Sequence, residues 1–137
     1  MPARQGLRGY VTARGFGPYV IPVPLQSLAL RDYCTRKKFV YVLPANENCF
    51  AHSYLVLEGL IADLAAYEGI VMCSMFMLPE RPQRRRAIFQ QVLDQGCSVH
   101  LVVEDFVVAA ATDVERLEEL ITIDRLASRA PRDIPLD

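Results

Sequence analysis

Residues 69–80, Gly69-Ile70-Val71-Met72-Cys73-Ser74-Met75-Phe76-Met77-Leu78-Pro79-Glu80, decide the fold. The opening apolar run is too short for a core helix and shows no polar alternation. A strand buried on both faces reads this way. The run stops at Ser74, a loop closes at Pro79-Glu80, and an arginine-rich helix is expected over 82–95. Strand, loop and returning helix form one unit of an α/β fold. In open sheets of this kind ligands bind beyond the carboxyl ends of the strands, so 74–80 is expected to meet the ligand.

Similar units lie on either side. A strand over 9–12 precedes a turn rich in glycine and proline. A helix starts near Pro24, with apolar Leu25, Leu28, Leu30, Tyr33 and Cys34, and closes at the basic Arg36-Lys37-Lys38. Residues 39–43 form a second strand, 44–48 a loop, and 53–66 a helix with Leu57, Leu60, Ile61 and Leu64 on one face. A fourth strand spans 98–104. Thr112-Asp113-Val114-Glu115 resembles a capping box before a last helix that ends near Leu126. This alternation predicts a three-layer α/β sandwich with a four-stranded, mainly parallel sheet, flavodoxin-like or resolvase-like, in the order 2-1-3-4. One domain is expected over 1–126, followed by a loosely ordered tail over 127–137.

The chain has 137 residues, is 52% hydrophobic and carries a formal net charge of −1. That charge creates no overall field for nucleic acids or anionic membranes, so neither is an expected partner. No signal peptide or spanning segment is read, and a cytoplasmic location is expected. The cysteines Cys34, Cys49, Cys73 and Cys97 lack metal-ligand spacing, which points to a reducing compartment without structural disulfides. With His52 and His100 the only histidines, no metal site is expected, and no cofactor motif is complete.

The expected strand ends gather Thr12, Arg14, Asn46, Glu47, Asn48, Ser74, Met77, Glu80, Glu104 and Asp105. Such a mixture suits a polar or anionic small molecule. Arg14, beside Gly15-Phe16-Gly17, is either a bidentate anion clamp or an ordinary surface arginine. Glu47 and Glu104 are each either a general base or a structural carboxylate. Ser74 reads as a binding hydroxyl more than as a nucleophile, because no elbow motif surrounds it. His100 reads as a packed structural histidine. Arg81, Arg84, Arg85 and Arg86 read as a solvated face, from which one arginine near the first turn could still reach an anion. The apolar run 75–78 is costly to expose, so a homo-oligomer or a lid is expected there.

Arg8-Gly9-Tyr10, Pro22-Val23-Pro24 with Gln26, Arg31-Asp32-Tyr33-Cys34, Tyr54 with Leu57-Glu58, Gly69-Ile70-Val71, Ser74, Phe76-Met77-Leu78-Pro79, and His100 with Glu104 together resemble the sporadic carbohydrate cluster proteins. The resemblance runs to about Leu126. It implies a role in unusual-sugar biosynthesis and a carbohydrate ligand, possibly phosphorylated. The expected function is therefore an isomerase, epimerase or dehydratase working by proton transfer. The alternative is a non-catalytic accessory protein that binds a sugar or a sugar-synthesising enzyme. The catalytic candidates are Glu104, Glu47, Tyr54 and Glu58, the last two sharing a helix face. The substrate-binding candidates are Thr12, Arg14, Gln26, Arg31 and Ser74, with Gln26 and Arg31 raised by the resemblance alone. More distantly, the strand–helix layout is similar to the catalytic domain of serine recombinases. Thr12 stands where a serine nucleophile would be expected there, and the basic DNA-binding tail is absent, so the resemblance implies the fold without recombination.

Overall fold

The computed structural model describes residues 4–50 and 52–129. The chain runs β1 (Leu7–Thr12), α1 (Val23–Lys37), β2 (Tyr41–Glu47), α2 (Leu55–Ala62), β3 (Gly69–Met72), α3 (Pro82–Asp94), β4 (Ser98–Leu101), β5 (Phe106–Val108) and α4 (Ala111–Arg129). The sheet order is β2-β1-β3-β4-β5. β2, β1, β3 and β4 pair in parallel, and β5 returns antiparallel to β4.

Every residue of β3 is buried, because the strand has neighbours on both sides and helices over both faces. Right-handed crossovers put α1 on one face and α2 and α3 on the other. Accordingly α2 packs on α3, and α3 on α4, while α1 packs on β1, β2 and β3. Gly69 is required at the start of β3, where a Cβ would stand 2.2 Å from the carbonyl oxygen of Ser98.

The sheet differs from the expectation of four strands by an added edge. The run read as one strand over 98–104 breaks after Leu101, turns through a left-handed Asp105 (φ 49°) and comes back as β5. Glu104 therefore sits in a hairpin turn. β2 runs on to Glu47 through Pro44, where a loop was expected. An edge strand tolerates proline because its outward N–H has no partner to lose. This places Glu47 opposite Thr12 in the β1–β2 register.

Helix ends also shift. α2 stops at Ala62 and hands over to a short 3₁₀ turn, Leu64–Ala66. α4 starts at Ala111, so Thr112 lies inside it, and Asp113 in the first turn reaches back to accept from the amides of Ala109 and Ala110, the returning half of a capping box. Glu115 instead pairs with Arg86. The helix continues through Arg129, so the expected tail is helical over 127–129, and 130–137 lies outside the described residues.

The Met75–Met77 stretch forms a 3₁₀ turn with Met77 and Leu78 buried. The turn after β1 covers it. Gly17, at φ 57°, packs on Phe76 so closely that a Cβ would lie within 2.4 Å of the ring. Tyr19 stacks against both Phe16 and Phe76. The chain covers its own apolar run, which removes the ground for an oligomer or lid at 75–78.

His100 is a packed histidine between α1 and the sheet. Its Nδ1 is 2.8 Å from the Tyr33 hydroxyl and its Nε2 is 2.8 Å from Ser98 Oγ. Phe39 meets the ring edge-on. Burial, with a smaller contribution from Lys37, lowers its pKa from 6.5 to about 4. A histidine depressed on folding stabilises the fold while it stays neutral. That contribution falls as pH drops below 6.5 and is gone near 4, a loss of roughly 3 kcal/mol. Urea unfolding of wild type and His100→Gln between pH 7 and 4 checks this. Wild-type stability should fall more steeply than the variant's, and parallel curves would refute the assignment.

Candidate functional site

The carboxyl ends of β1, β2 and β3 point to one end of the sheet, where a cleft of about 580 Å³ opens between His52 and Tyr54 on one side and the start of α3 on the other. His52, Tyr54, Pro79, Glu80, Arg81, Gln83 and Arg84 line it. α3 begins here because Pro82 has a preset φ and no N–H to lose at a first helical position. Its first turn therefore directs Arg81, Gln83 and Arg84 to the cleft.

Tyr54 is the wall around which the charges are arranged. The guanidinium of Arg14 lies 5.1 Å from its ring centre and that of Arg84 lies 5.0 Å away. Burial raises the phenol pKa, with Arg14 and Arg84 acting against it, so the hydroxyl stays protonated at neutral pH. Arg14 also donates to the carbonyls of Phe50 at 2.7 Å and Ser53 at 3.2 Å. It thus ties Phe50 and Ser53 to the end of β1. His52 holds a left-handed backbone (φ 61°) at the cleft edge, a conformation that costs energy in a residue with a Cβ. The Arg81 guanidinium has neither a hydrogen bond nor an ion pair among the described residues.

The other expected site residues serve the fold. Glu47 is buried and accepts from the Tyr10 hydroxyl and from the amides of Asn48, Val56 and Leu57. Gln26 clamps β1 to the start of α1, accepting from the Thr12 amide and donating to the carbonyls of Thr12 and Ile21. The Thr12 hydroxyl accepts from the Arg14 amide. Ser74 is wholly buried, and its hydroxyl donates to Glu104 at 2.8 Å. Glu104 also accepts from the Met75 amide, so this pair fastens the β4–β5 hairpin to the end of β3. Arg31 stands over Tyr41 on the α1 side, away from the cleft. Glu58 does not meet the Tyr54 hydroxyl. It turns to Arg84. The sequence reading gave the arginine run to solvent and left only one arginine near the first turn within reach of an anion; the structure brings both Arg81 and Arg84 to the cleft. Their place directly after the Pro79-Glu80 strand-end loop was the available signal.

Among the described residues no cluster of histidine, cysteine, aspartate and glutamate could hold a metal ion, and no helix is long and apolar enough to cross a membrane. All four cysteines are free, and burial raises the thiols of Cys34 and Cys73 to about 11.

The backbone that carries this cleft has solved counterparts. It superimposes on a resolvase family site-specific recombinase from Streptococcus pneumoniae with a TM-score of 0.64 and 10% identity, covering 90% of this chain and 91% of that one. The N-terminal catalytic domain of TP901-1 integrase matches with a TM-score of 0.60 and 14% identity, over 88% and 96% of the two chains. The C-terminal catalytic domain of ISC1926 TnpA, an IS607-like serine recombinase, matches at 0.51 and 18% identity, over 85% and 80%. The fold is that of serine recombinase catalytic domains. At these identities the likeness is one of fold. No family model matches the chain, and no curated protein does, so the sporadic carbohydrate cluster resemblance finds no support.

These findings overturn the expected sugar isomerase, epimerase or dehydratase, and the accessory protein of carbohydrate synthesis with it. The structural neighbours are recombination domains. In addition, Glu47 and Glu104, the bases that chemistry required, are committed to the fold. The expectations of a carbohydrate ligand and of no nucleic-acid partner fall together. The net charge of −1 averages over the molecule: α4 holds Asp113, Glu115, Glu118, Glu119 and Asp124 against Arg116, Arg125 and Arg129, whereas Arg81 and Arg84 line the cleft with Glu80.

Proposed function

We propose that the strand-end cleft binds the phosphate backbone of a nucleic acid strand and that the domain does so without serine-type attack on it. The observation that carries this reading is the guanidinium cluster around Tyr54, with Arg81 and Arg84 lining the cleft and Arg14 behind it. Arginine matches phosphate oxygens with a planar fork of donors, and such contacts supply most non-specific affinity for nucleic acids. The class of ligand follows from the solved neighbours, an integrase and site-specific recombinases. Recombination is a reaction of DNA strands. Glu80 on the cleft wall keeps the affinity modest. Serine-type strand attack needs a free aliphatic hydroxyl, and the Thr12 and Ser74 hydroxyls are buried and already bonded, while the cleft lining brings guanidinium, amide, imidazole, carboxylate and phenol groups.

Fluorescence anisotropy with labelled single-stranded and duplex oligonucleotides at low salt tests this. Binding should saturate in the range of roughly 10⁻⁶–10⁻⁴ M and weaken linearly in log salt. Arg81→Ala with Arg84→Ala should weaken it about tenfold or more, and the DNA should stay uncut and free of covalent protein. The proposal fails if wild type does not saturate, or if the double variant binds equally well.

A further inference from the structure

Arg84 has two neighbours that make opposite demands on it. Its guanidinium stands over the Tyr54 ring, facing the cleft. At the same time its Nε and Nη2 both donate to a single carboxylate oxygen of Glu58, at 3.0 and 2.5 Å. Nε and one Nη form the edge of a guanidinium that fits two oxygens of a phosphate or carboxylate side by side. Here that edge is spent on one oxygen, so the contact underuses the fork. Glu58 comes from α2 and does not line the cleft.

We infer that Glu58 is a built-in competitor for the phosphate at Arg84, lowering the cleft's affinity for its ligand; this inference rests on the phosphate-binding reading above. The chemistry is an exchange of one oxyanion for another. An entering phosphate takes the Nε–Nη edge, and the Glu58 carboxylate returns to water. Both side chains are partly exposed, at 41% for Arg84 and 45% for Glu58, so water readily rehydrates the displaced carboxylate. The ring of Tyr54 holds Arg84 near the cleft through the exchange, because the cation–ring attraction does not need Glu58. Exposed pairs of this kind are weak, so the competition amounts to about two- to fivefold in affinity. Arg81, which has no such partner among the described residues, supplies the uncontested contact. Glu58 therefore sets the strength of binding without itself touching the ligand.

The test compares four full-length proteins by oligonucleotide anisotropy at one low salt concentration: wild type, Glu58→Gln, Arg84→Ala and the double variant. Glu58→Gln should bind about two to five times more tightly than wild type. Removing Glu58 in the Arg84→Ala background should change nothing, because the competitor then has no target. Unchanged or weaker binding by Glu58→Gln overturns the inference. So does an equal gain in both backgrounds, which would mark a general loss of negative charge. If wild type binds and the Arg81/Arg84 double variant does not, while Glu58→Gln equals wild type, only this inference falls. If wild type does not bind at all, the phosphate-binding reading falls with it. Glu58 is exposed, and the thermal midpoint of each variant checks that folding is retained.

Discussion

Arg85→Ala is expected to lower the unfolding free energy by about 3–5 kcal/mol, the usual cost of stranding one partner of a buried ion pair. Arg85 and Glu118 join α3 to α4 through two bonds, Nε to Oε2 at 2.6 Å and Nη2 to Oε1 at 2.8 Å. Their side chains are only 4% and 9% exposed. Nη1 of Arg85 reaches further, to the carbonyls of Pro79 and Glu80 at 3.0 and 3.1 Å. Alanine would leave the Glu118 carboxylate facing only Arg86, at 3.7 Å, would free the Pro79 carbonyl and would leave the Glu80 carbonyl to Arg125 alone, at 3.1 Å. Replacing both partners with apolar residues, Arg85→Met with Glu118→Leu, should cost far less, since no buried charge is then left unpaired. Urea unfolding of the single and double variants measures the contrast. A single variant within about 1 kcal/mol of wild type would show that the pair contributes little to holding α4.

Arg85 also shows where the sequence was legible and where it was not. Layer architecture could be read, because β3 is continuously apolar and α2 and α3 keep their period, with Leu57 and Ile61, then Ile88, Phe89 and Val92 buried, whereas in α1 Leu25 and Leu28, expected on the apolar face, are exposed and Gln26 is buried in their place. The arginine run could not be read by the same rule. Helical geometry sends adjacent residues to different faces, so Arg84 meets the cleft, Arg85 the core and Arg86 the acidic flank of α4. Which arginine goes where depends on Glu118 and Glu115, some thirty positions away. The β5 strand was hidden because three residues carry too little alternation to announce it. At the strand ends, the rule that ligands meet the sheet there pointed to the end of the sheet where the cleft opens, but residue chemistry alone could not separate a carboxylate that works on a ligand from one that holds the backbone. Glu104 and Glu47 look reactive in sequence, yet each is claimed by amides brought to it by the fold.

Glu47→Ala should be as damaging as the loss of Arg85, about 3–5 kcal/mol, because several buried donors lose their acceptor at once. Oε1 accepts from the Tyr10 hydroxyl at 2.9 Å and the Leu57 amide at 3.2 Å. Oε2 accepts from the amides of Asn48 at 3.0 Å and Val56 at 3.2 Å. Val56 and Leu57 lie in the first turn of α2, whose N-cap residue, Tyr54, offers no side-chain acceptor. Glu47 thus caps α2 from the neighbouring strand and adds a negative charge where the helix dipole favours it. Glu47→Gln keeps the size but offers one acceptor oxygen, and its amide group would face N–H donors. It should therefore cost about 1.5–3 kcal/mol, in contrast to the neutral effect on folding that a purely catalytic glutamate would show. Tyr10→Phe removes one donor and leaves the carboxylate its backbone partners, so about 1 kcal/mol is expected. Hydrogen exchange adds a local readout: the Val56 and Leu57 amides should lose protection in Glu47→Gln before the core strands do. Because Tyr54 precedes these residues directly, loosening the start of α2 also moves the ring that carries Arg14 and Arg84. Oligonucleotide affinity should fall along with stability in this variant. A Glu47→Gln protein as stable as wild type would remove the cap from this account and return Glu47 to the list of groups free to do chemistry.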